Sequence, residues 1–235
     1  MSIEKFKRAS DGVRIYYEVH GTGDPLLFLH GNSQNGRVFK RQIDYFSKFY
    51  QCIVMDLRAH GFSSLVHENL TFQRIAQDIA EVLNFEKIEK VTIIGFSDGA
   101  NVAMFFATSF PDRVNKLVLN AGNIKYEGLN LLSRVGLKTL YFTSACLRKN
   151  LSVIELMIED SRLALNDLLK ITAPTLVLNG QFDVIKHAHA KEIASHIKQA
   201  ELVIVPFATH MFFYFQPMRF NYMIEQFLHK EKNDE

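Results

Sequence analysis

The stretch that decides the fold is Gly95-Phe96-Ser97-Asp98-Gly99, which lies between the apolar run VTII at residues 91–94 and the pattern ANVAM at residues 100–104. A strand must end and a helix must begin within these five residues, so the backbone at Ser97 is forced into a sharp and strained turn. The two glycines allow neighbouring backbone to pack closely there. The pattern predicts a serine presented as a nucleophile. The alternative is a strand-to-helix turn whose serine only caps the helix.

Short apolar runs bounded by turn residues alternate with longer helical patterns along most of the chain. This alternation is typical of an α/β fold, in which helices cover both faces of a mostly parallel sheet. The first segments differ, because FKRAS and VRIYYEV flank the turn signal Asp11-Gly12 and predict an antiparallel hairpin at the edge of the sheet. The predicted parallel strands are 26–29, 52–57, 91–94, 116–119, 175–178 and 202–205.

Two further segments are assigned from their periodicity. Apolar residues recur at helical spacing from Phe72 to Leu83, directly after Thr71, which belongs to a residue type that caps helix N-termini. From about residue 125 to 173 the alternation gives way to Leu-, Phe- and Lys-rich helical patterns. We interpret this segment as a short helical cap inserted over the carboxyl edge of the sheet, within a single domain spanning residues 1–235.

The composition is that of a globular protein. Hydrophobic residues make up 48% of the chain and charged residues 22%, and the formal net charge of +2 argues against a nucleic-acid-binding or membrane-surface protein. The opening MSIEKFKRAS lacks the continuous apolar segment of a signal peptide, and no later run is long enough to span a bilayer. We therefore expect a cytoplasmic protein, monomeric or homodimeric.

Two later residues are candidates to activate Ser97. A serine hydroxyl is a weak nucleophile near neutral pH, so it requires a base within hydrogen-bond reach and a third group that orients this base. Asp183, in NGQFDVI, and His210, in PFATHMFF, each follow a predicted strand. The order Ser…Asp…His is the one that accompanies a G-x-S-x-G turn. The alternatives are a turn carboxylate for Asp183 and a packed or solvent-facing histidine for His210.

Chemistry at a carbonyl also requires N–H donors for the oxyanion, one directly after the nucleophile and one from the loop after an early strand. The backbone amides of Asp98 and Asn32 occupy these two positions. Asn32 follows His30-Gly31 at the end of the strand 26–29, where the glycine permits a turn that aims an amide inward. The Asn32 side chain has two alternative roles, a contact with a substrate carbonyl or that of an ordinary loop-forming asparagine.

With these motifs together, the chain resembles the α/β-hydrolase-fold enzymes. The resemblance covers nearly the whole chain outside the cap and implies a serine-dependent hydrolase that needs no cofactor and no metal. Family members include esterases, lipases, C–C hydrolases and peptidases. Relatives with an aspartate nucleophile, the dehalogenases and epoxide hydrolases, are disfavoured by the serine. The matching residues are His30-Gly31-Asn32, Asp56-Leu57-Arg58 with Gly61 and Ser63, the turn at residues 95–99, Asp183 and His210.

Within this family, the Ser97-Asp98 pair resembles the amino-acid-ester hydrolases related to valacyclovirase. This resemblance implies that Asp98 helps to hold a substrate ammonium group. A structural interpretation stands beside it, because a carboxylate in the first turn of a helix is favoured by the exposed N–H groups and the helix dipole. Three residues depart from the family pattern: Ala59 and Thr209 stand where glycine is frequent, and Gln216 stands where glutamate is frequent.

The sequence therefore predicts a serine hydrolase that cleaves a small carboxylic ester or related acyl compound through an acyl-enzyme. In this prediction its partner is a small-molecule substrate, not a nucleic acid or a membrane. Two alternatives remain open, a C–C bond hydrolase or perhydrolase that uses the same site, and a slow-turnover ligand receptor or signalling protein that keeps the fold. No metal site is expected, since His187 and His189 lack a convincing set of ligands.

Overall fold

The computed structural model describes residues 2–64, 70–147, 151–158 and 163–230. In these residues, eight strands form one sheet in the order β1-β2-β4-β3-β5-β6-β7-β8. β2 pairs antiparallel with β1 and with β4, and the other neighbouring strands are parallel. The predicted mostly parallel α/β sheet with an antiparallel hairpin at its edge is confirmed. The strands are β1 Ser2–Arg8, β2 Arg14–His20, β3 Asp24–Leu29, β4 Tyr50–Met55, β5 Val91–Phe96, β6 Val114–Asn120, β7 Thr175–Phe182 and β8 Ala200–Thr209.

Helices cover both faces of the sheet. The buried apolar residues form two clusters, one on each face. One cluster joins the strands to apolar residues of α2, α3 and α6, and the other joins them to α1, α7 and α8. Because parallel strands are buried on both sides, they are continuous apolar runs in the sequence. The helices of the described ranges are α1 Lys40–Phe46, α2 Phe72–Phe85, α3 Asp98–Ser109, α4 Leu131–Cys146, α5 Ser152–Ile158, α6 His187–Ser195, α7 Phe212–Phe215 and α8 Pro217–His229.

The predicted helix starts are found where the sequence placed them. Thr71 caps α2, since its hydroxyl oxygen accepts the backbone N–H of Arg74 at 3.1 Å. α3 begins directly after Ser97 and ends at Ser109, two residues before Pro111. None of the helices that the structure describes is long and apolar enough to cross a membrane.

The turn between β5 and α3 is packed closely against the end of β3. A Cβ atom at Gly99 would lie 2.0 Å from the carbonyl oxygen of Leu29, and one at Gly95 would lie 2.5 Å from the carbonyl oxygen of Gly99. Only glycine permits these approaches. The start of α3 is therefore held over the carboxyl ends of β3 and β5, beside the loop that begins at His30.

The segment predicted as a cap divides into two parts. α4 and α5 pack against each other, and α4 lies at the surface, with Leu132 83% exposed. By contrast, Leu168 and Ile171, at the end of the segment, are fully buried in the same core as α3. Residues 148–150 and 159–162 of the predicted cap lie outside the described residues. We call α4 and α5 together the helical pair.

Candidate active site

Ser97 adopts the strained conformation that the turn requires. Its φ of 52° and ψ of −119° lie outside the regions that a side chain normally permits, at a cost of about 1–3 kcal/mol. The turn is fixed by a hydrogen bond from the Ser97 backbone N–H to the carbonyl oxygen of Asn120, at 2.9 Å. The Ser97 side chain makes no capping hydrogen bond to α3. The alternative interpretation of Ser97 as a helix cap is therefore wrong.

Ser97, His210 and Asp183 form one hydrogen-bonded chain. The Oγ atom of Ser97 lies 3.3 Å from Nε2 of His210, and Nδ1 of His210 lies 2.7 Å from Oδ1 of Asp183. The histidine side chain is 25% exposed, whereas the aspartate side chain is 1% exposed. A long serine–histidine contact is usual in a site without substrate and shortens when the reacting groups are bound. The structure thus brings together the three residues singled out as nucleophile, base and acid.

The Asp183 carboxylate is held in place by the end of β7 and by the loop that follows it. Besides His210, it accepts the backbone N–H groups of Gly180 and Ile185, each at 3.1 Å. An ionised carboxylate only accepts hydrogen bonds, so Nδ1 of His210 must carry the proton that points toward it. In this tautomer Nε2, which faces Ser97, can accept the serine hydroxyl hydrogen. The ring of Phe96 packs against His210, with 4.9 Å between centroids.

The two backbone amides predicted to bind an oxyanion have no other hydrogen-bond partner among the residues that the structure describes. Among the described residues, neither the N–H of Asn32 nor that of Asp98 donates a hydrogen bond. The Asp98 amide is the first of the 12-residue helix α3, where backbone N–H groups and the helix dipole favour an anion. Both amides therefore have the capacity to receive a negatively charged oxygen.

Asp98 is buried beside the serine and bonded to two asparagine side chains. It is 5% exposed, and its oxygens accept the amide N–H groups of Asn32 at 2.7 Å and of Asn101 at 3.2 Å. Burial raises the pKa of this carboxyl to about 6, although the Asn32 hydrogen bond and the charge of His210 act in the opposite direction. No lysine or arginine of the described ranges forms a salt bridge with Asp98.

The Asn32 side chain is committed to contacts within the protein. Its amide nitrogen donates to Asp98 Oδ2 and to the carbonyl oxygen of Val153, both at 2.7 Å. Its amide oxygen accepts the Ser33 hydroxyl at 2.8 Å. With both hydrogens used, the side chain has no donor left for a substrate carbonyl. Only the backbone N–H of Asn32 is available for that contact.

A cavity of about 340 Å³ adjoins Ser97 and His210. Its wall is mostly apolar and is built from the helical pair, from the segment before it and from the loop after β7. Besides Ser97 and His210, the polar lining residues are Asp98, Asn101, Asn123 and Ser133. The apolar lining includes Ile124, Leu129, Leu137, Leu156, Met157 and Ile185.

Asn101 and Asn123 were missed in the sequence, although a signal existed for each. Asn101 lies three residues after Asp98 on α3, so the two share a helix face. The Asn101 amide oxygen accepts the backbone N–H of Asn123 at 2.7 Å. Asn123 lies in the loop that follows β6, at the same edge of the sheet as Asp183 and His210. Polar residues in these positions are candidates for substrate contacts.

His30 and Asp56 brace the loops around the site. The buried His30 ring accepts the backbone N–H of Leu57 through Nε2 at 2.9 Å and donates from Nδ1 to the carbonyl oxygen of Gly31 at 2.8 Å. Burial, aided by repulsion from His60, lowers the pKa of His30 to about 3. Asp56 accepts the backbone N–H of Gly36 at 2.7 Å. A neutral histidine and a carboxylate thus fix the loops at residues 30–36 and 56–64.

The three departures from the family pattern have different structural consequences. Ala59 has a φ of 64°, in the left-handed region that favours glycine. Thr209 ends β8 opposite Phe182 and does not have a positive φ, so this position does not require glycine. Gln216 donates its amide to the carbonyl oxygen of Phe207 at 3.3 Å.

No metal-binding cluster of three or more His, Cys, Asp or Glu side chains is found in the part of the chain that the structure describes. His189 is instead buried in a protein network, where Nε2 accepts the backbone N–H of Ile124 at 3.2 Å and Nδ1 lies 3.0 Å from Glu192.

The sheet order, the strained serine turn after β5 and the histidine after the last strand define an α/β hydrolase. The family model described as alpha/beta hydrolase fold matches residues 24–138. The chain is therefore similar to the α/β-hydrolase superfamily; it has the α/β-hydrolase fold and is a hydrolase, as the sequence predicted.

Similarity to individual proteins extends over nearly the whole chain. Human serine hydrolase BPHL is 25% identical, with 97% of this chain and 87% of the relative covered. The AB hydrolase superfamily protein YisY of Bacillus subtilis strain 168 is 29% identical, with 94% and 97% covered. The solved structure of Est816, described as an N-acyl homoserine lactone degrading enzyme, has a TM-score of 0.83 and 25% identity, with 95% and 100% covered.

Proposed function

We propose that the protein is a serine hydrolase that cleaves small carboxylic esters through an acyl-enzyme. The observation that carries the proposal is the hydrogen-bonded chain from Ser97 through His210 to the buried Asp183, at the wall of a largely apolar cavity. A serine in a strained turn, a base at its hydroxyl and an acid behind the base are the parts that nucleophilic acyl transfer requires.

The proposed reaction has two halves. Ser97 Oγ attacks the ester carbonyl while Nε2 of His210 takes its proton, and the backbone N–H groups of Asn32 and Asp98 bind the oxyanion of the tetrahedral intermediate. His210 then gives the proton to the leaving alcohol, and an acyl-enzyme remains. In the second half a water molecule attacks this ester while His210 takes its proton, and His210 then returns the proton to Ser97 Oγ as the acyl–Oγ bond breaks and the carboxylic acid leaves. Asp183 stays ionised and stabilises the imidazolium that forms in each half.

The cavity supports a small or medium apolar acyl group. A volume of about 340 Å³ is near the lower end of the range for small-molecule sites, and most of the lining side chains are apolar. The same chemistry opens a lactone, which is an internal ester. The relative Est816 is named for lactone degradation.

A more specific candidate is an ester whose acyl group carries an ammonium group, as the Ser97-Asp98 pair suggests. The supporting observation is the buried Asp98 carboxylate, which lines the cavity and has two amide donors but no lysine or arginine partner in the described ranges. A buried carboxylate without a cation is costly, and a substrate ammonium group relieves that cost.

The first experiment is the reaction of the protein with a small fluorophosphonate, followed by measurement of its intact mass. We expect one adduct on the wild type and none on Ser97→Ala. Ser195→Ala is the matched control, because Ser195 is an exposed serine at the end of α6, and it should label like the wild type. A folded wild-type protein that gains no adduct would contradict the proposal and favour a ligand receptor with a degenerate site.

A second arm measures turnover. The wild type should hydrolyse p-nitrophenyl acetate and butyrate, and Ser97→Ala should lose about 10³-fold or more of kcat/KM. Labelling without turnover of any ester in a panel would identify an activated serine that serves other chemistry, such as C–C hydrolysis or perhydrolysis, which product analysis then distinguishes.

A further inference from the structure

One side-chain amide joins three separate parts of the site. The Nδ2 atom of Asn32 lies 2.7 Å from Oδ2 of Asp98 and 2.7 Å from the carbonyl oxygen of Val153. Asn32 belongs to the loop after β3, Asp98 begins α3, and Val153 lies in the first turn of α5. The amide therefore connects the helical pair directly to the residue that follows the serine.

The two hydrogen bonds require a side-chain NH₂ group at this position. One NH₂ group carries two hydrogens at a fixed angle, and here each hydrogen has one acceptor. A carbonyl oxygen in a helix has two lone pairs, so Val153 can accept the Asn32 hydrogen bond and still take part in the helix. Alanine provides neither donor, and aspartate places a carboxylate against the Asp98 carboxylate and the Val153 oxygen.

α5 depends on contacts of this kind for its position. It has seven residues, and a helix of two turns is not stable by itself in water. Leu156 faces inward, with 6% exposure, and Leu156 and Met157 form part of the cavity wall. A shift of α5 therefore changes the shape of the cavity next to the serine.

We propose that the Asn32 side chain is a positioning residue that holds α5 against the start of α3 and thereby fixes the Leu156–Met157 wall of the acyl cavity. The inference rests on the proposed function, because the wall matters only if this cavity receives the acyl group. It is separate from the oxyanion role of the Asn32 backbone, since a side-chain substitution leaves that N–H group in place.

The test combines hydrogen exchange with steady-state kinetics on Asn32→Ala. Amides of residues 152–158 should exchange about fivefold or more faster than in the wild type, while those of residues 98–109 change by less than about twofold. The ratio of KM for p-nitrophenyl hexanoate to KM for p-nitrophenyl acetate should rise about fivefold or more, whereas a defect in oxyanion binding would affect both esters equally.

Ser33→Ala is the matched control. It removes the hydroxyl that donates to Asn32 Oδ1 at 2.8 Å but leaves both bonds of the Asn32 nitrogen. This variant should resemble the wild type in both measurements. Asn32→Asp keeps the shape of the side chain and removes the donors, so it should increase exchange in α5 at least as much as Asn32→Ala.

Unchanged exchange of α5 in a folded Asn32→Ala protein would overturn the proposal. An equal loss of kcat for acetate and hexanoate would also overturn it, because that result assigns the side chain to the reacting centre. The exchange measurement does not require turnover. If the wild type neither labels nor hydrolyses esters, the proposed function fails while the contact between Asn32 and α5 is still tested.

Discussion

Asp183 and His210 are joined by a 2.7 Å contact between Oδ1 and Nδ1, and the carboxylate is almost fully shielded from solvent. The backbone N–H groups of Gly180 and Ile185 fix the same carboxylate from the other side. The orientation of the His210 ring is therefore set by a group that is itself immobilised.

Asp183→Asn should lower kcat for p-nitrophenyl butyrate by about 10³- to 10⁴-fold with little change in KM, because an amide N–H at this position favours the wrong histidine tautomer. Steady-state kinetics at pH 7.5 measures the effect. Asp167→Asn, at a carboxylate that pairs with Lys170 and does not line the cavity, is the control and should keep wild-type kcat. Loss of less than about tenfold would exclude Asp183 as the orienting acid.

Asp98 gives a prediction with a defined pH window. Its raised pKa of about 6 means that the carboxylate is ionised above pH 6 and gains a proton below it. If the ionised form holds an ammonium group, kcat/KM for an amino-acid p-nitrophenyl ester relative to its N-acetyl derivative should fall about tenfold as the pH is lowered from 7 to 5. The N-acetyl ester lacks the ammonium group, so the ratio removes any effect of pH that the two substrates share.

In Asp98→Asn, the ratio of kcat/KM for the amino-acid ester to kcat/KM for its N-acetyl derivative should be close to one and independent of pH. The value of kcat/KM for the N-acetyl ester itself should change much less. The variant keeps one oxygen acceptor and similar volume but places an NH₂ group against the amide donor of Asn32 or Asn101. The N-acetyl ester, which has no ammonium group, measures that structural effect separately from the loss of charge. A ratio that stays high in Asp98→Asn would assign Asp98 to structure only, as its position in the first turn of α3 allows.

The reacting residues were predictable because each follows a strand directly. Ser97 is the first residue after β5, and His210 is the first residue after β8. Because the carboxyl ends of parallel strands lie at one edge of a sheet, both residues are placed at that edge independently of the connecting segments. The strand order was less accessible, because the insertion of β3 between β4 and β5 depends on pairing between distant segments.

The packing of the predicted cap could not be predicted from the sequence. Leu131 and Leu132 of α4 are 72% and 83% exposed, whereas Leu168 and Ile171 of the same predicted cap are fully buried with α3. The apolar residues of α4 and those of residues 165–171 both recur at helical spacing. This spacing predicts that a helix has an apolar face, but it does not predict which element packs against that face. The bond from Asn32 to Val153 spans 121 residues and ends on a backbone carbonyl, which has no sequence signature.

His30 predicts a dependence of stability on pH. Its folded-state pKa of about 3 lies below the ordinary value of 6.5, so the unfolded chain binds a proton between these pH values that the folded chain does not bind. Stability from this group is complete above pH 6.5 and is lost as the pH falls toward 3. Between pH 6.5 and 3, protonation of His30 in the unfolded chain should lower the folding equilibrium constant by up to about tenfold for each pH unit that the pH is lowered.

Urea unfolding of the wild type and of His30→Gln at pH 7.5, 6 and 5 measures this contribution. Glutamine can replace both hydrogen bonds of the ring, and it does not titrate. The variant should lose less stability than the wild type between pH 7.5 and 5. Equal losses in the two proteins would mean that His30 is not buried in its neutral form.

Substitutions at Ala59 and Gly61, which lie in one loop, should change the free energy of unfolding in opposite directions. Both have a positive φ, of 64° and 52°, and a Cβ atom at Gly61 would lie 1.9 Å from Oδ2 of Asp56. Ala59→Gly should raise the free energy of unfolding by about 0.5–1 kcal/mol, because relief of the left-handed strain exceeds the added entropy of the unfolded chain. Gly61→Ala should lower the free energy of unfolding by about 2 kcal/mol or more, through strain and the clash with Asp56.

Urea unfolding at pH 7.5 measures the free energy of unfolding of both variants. Ala80→Gly, in the middle of α2, is a control that should lower stability. Destabilisation by Ala59→Gly would show that the alanine methyl group contributes packing that outweighs its backbone strain.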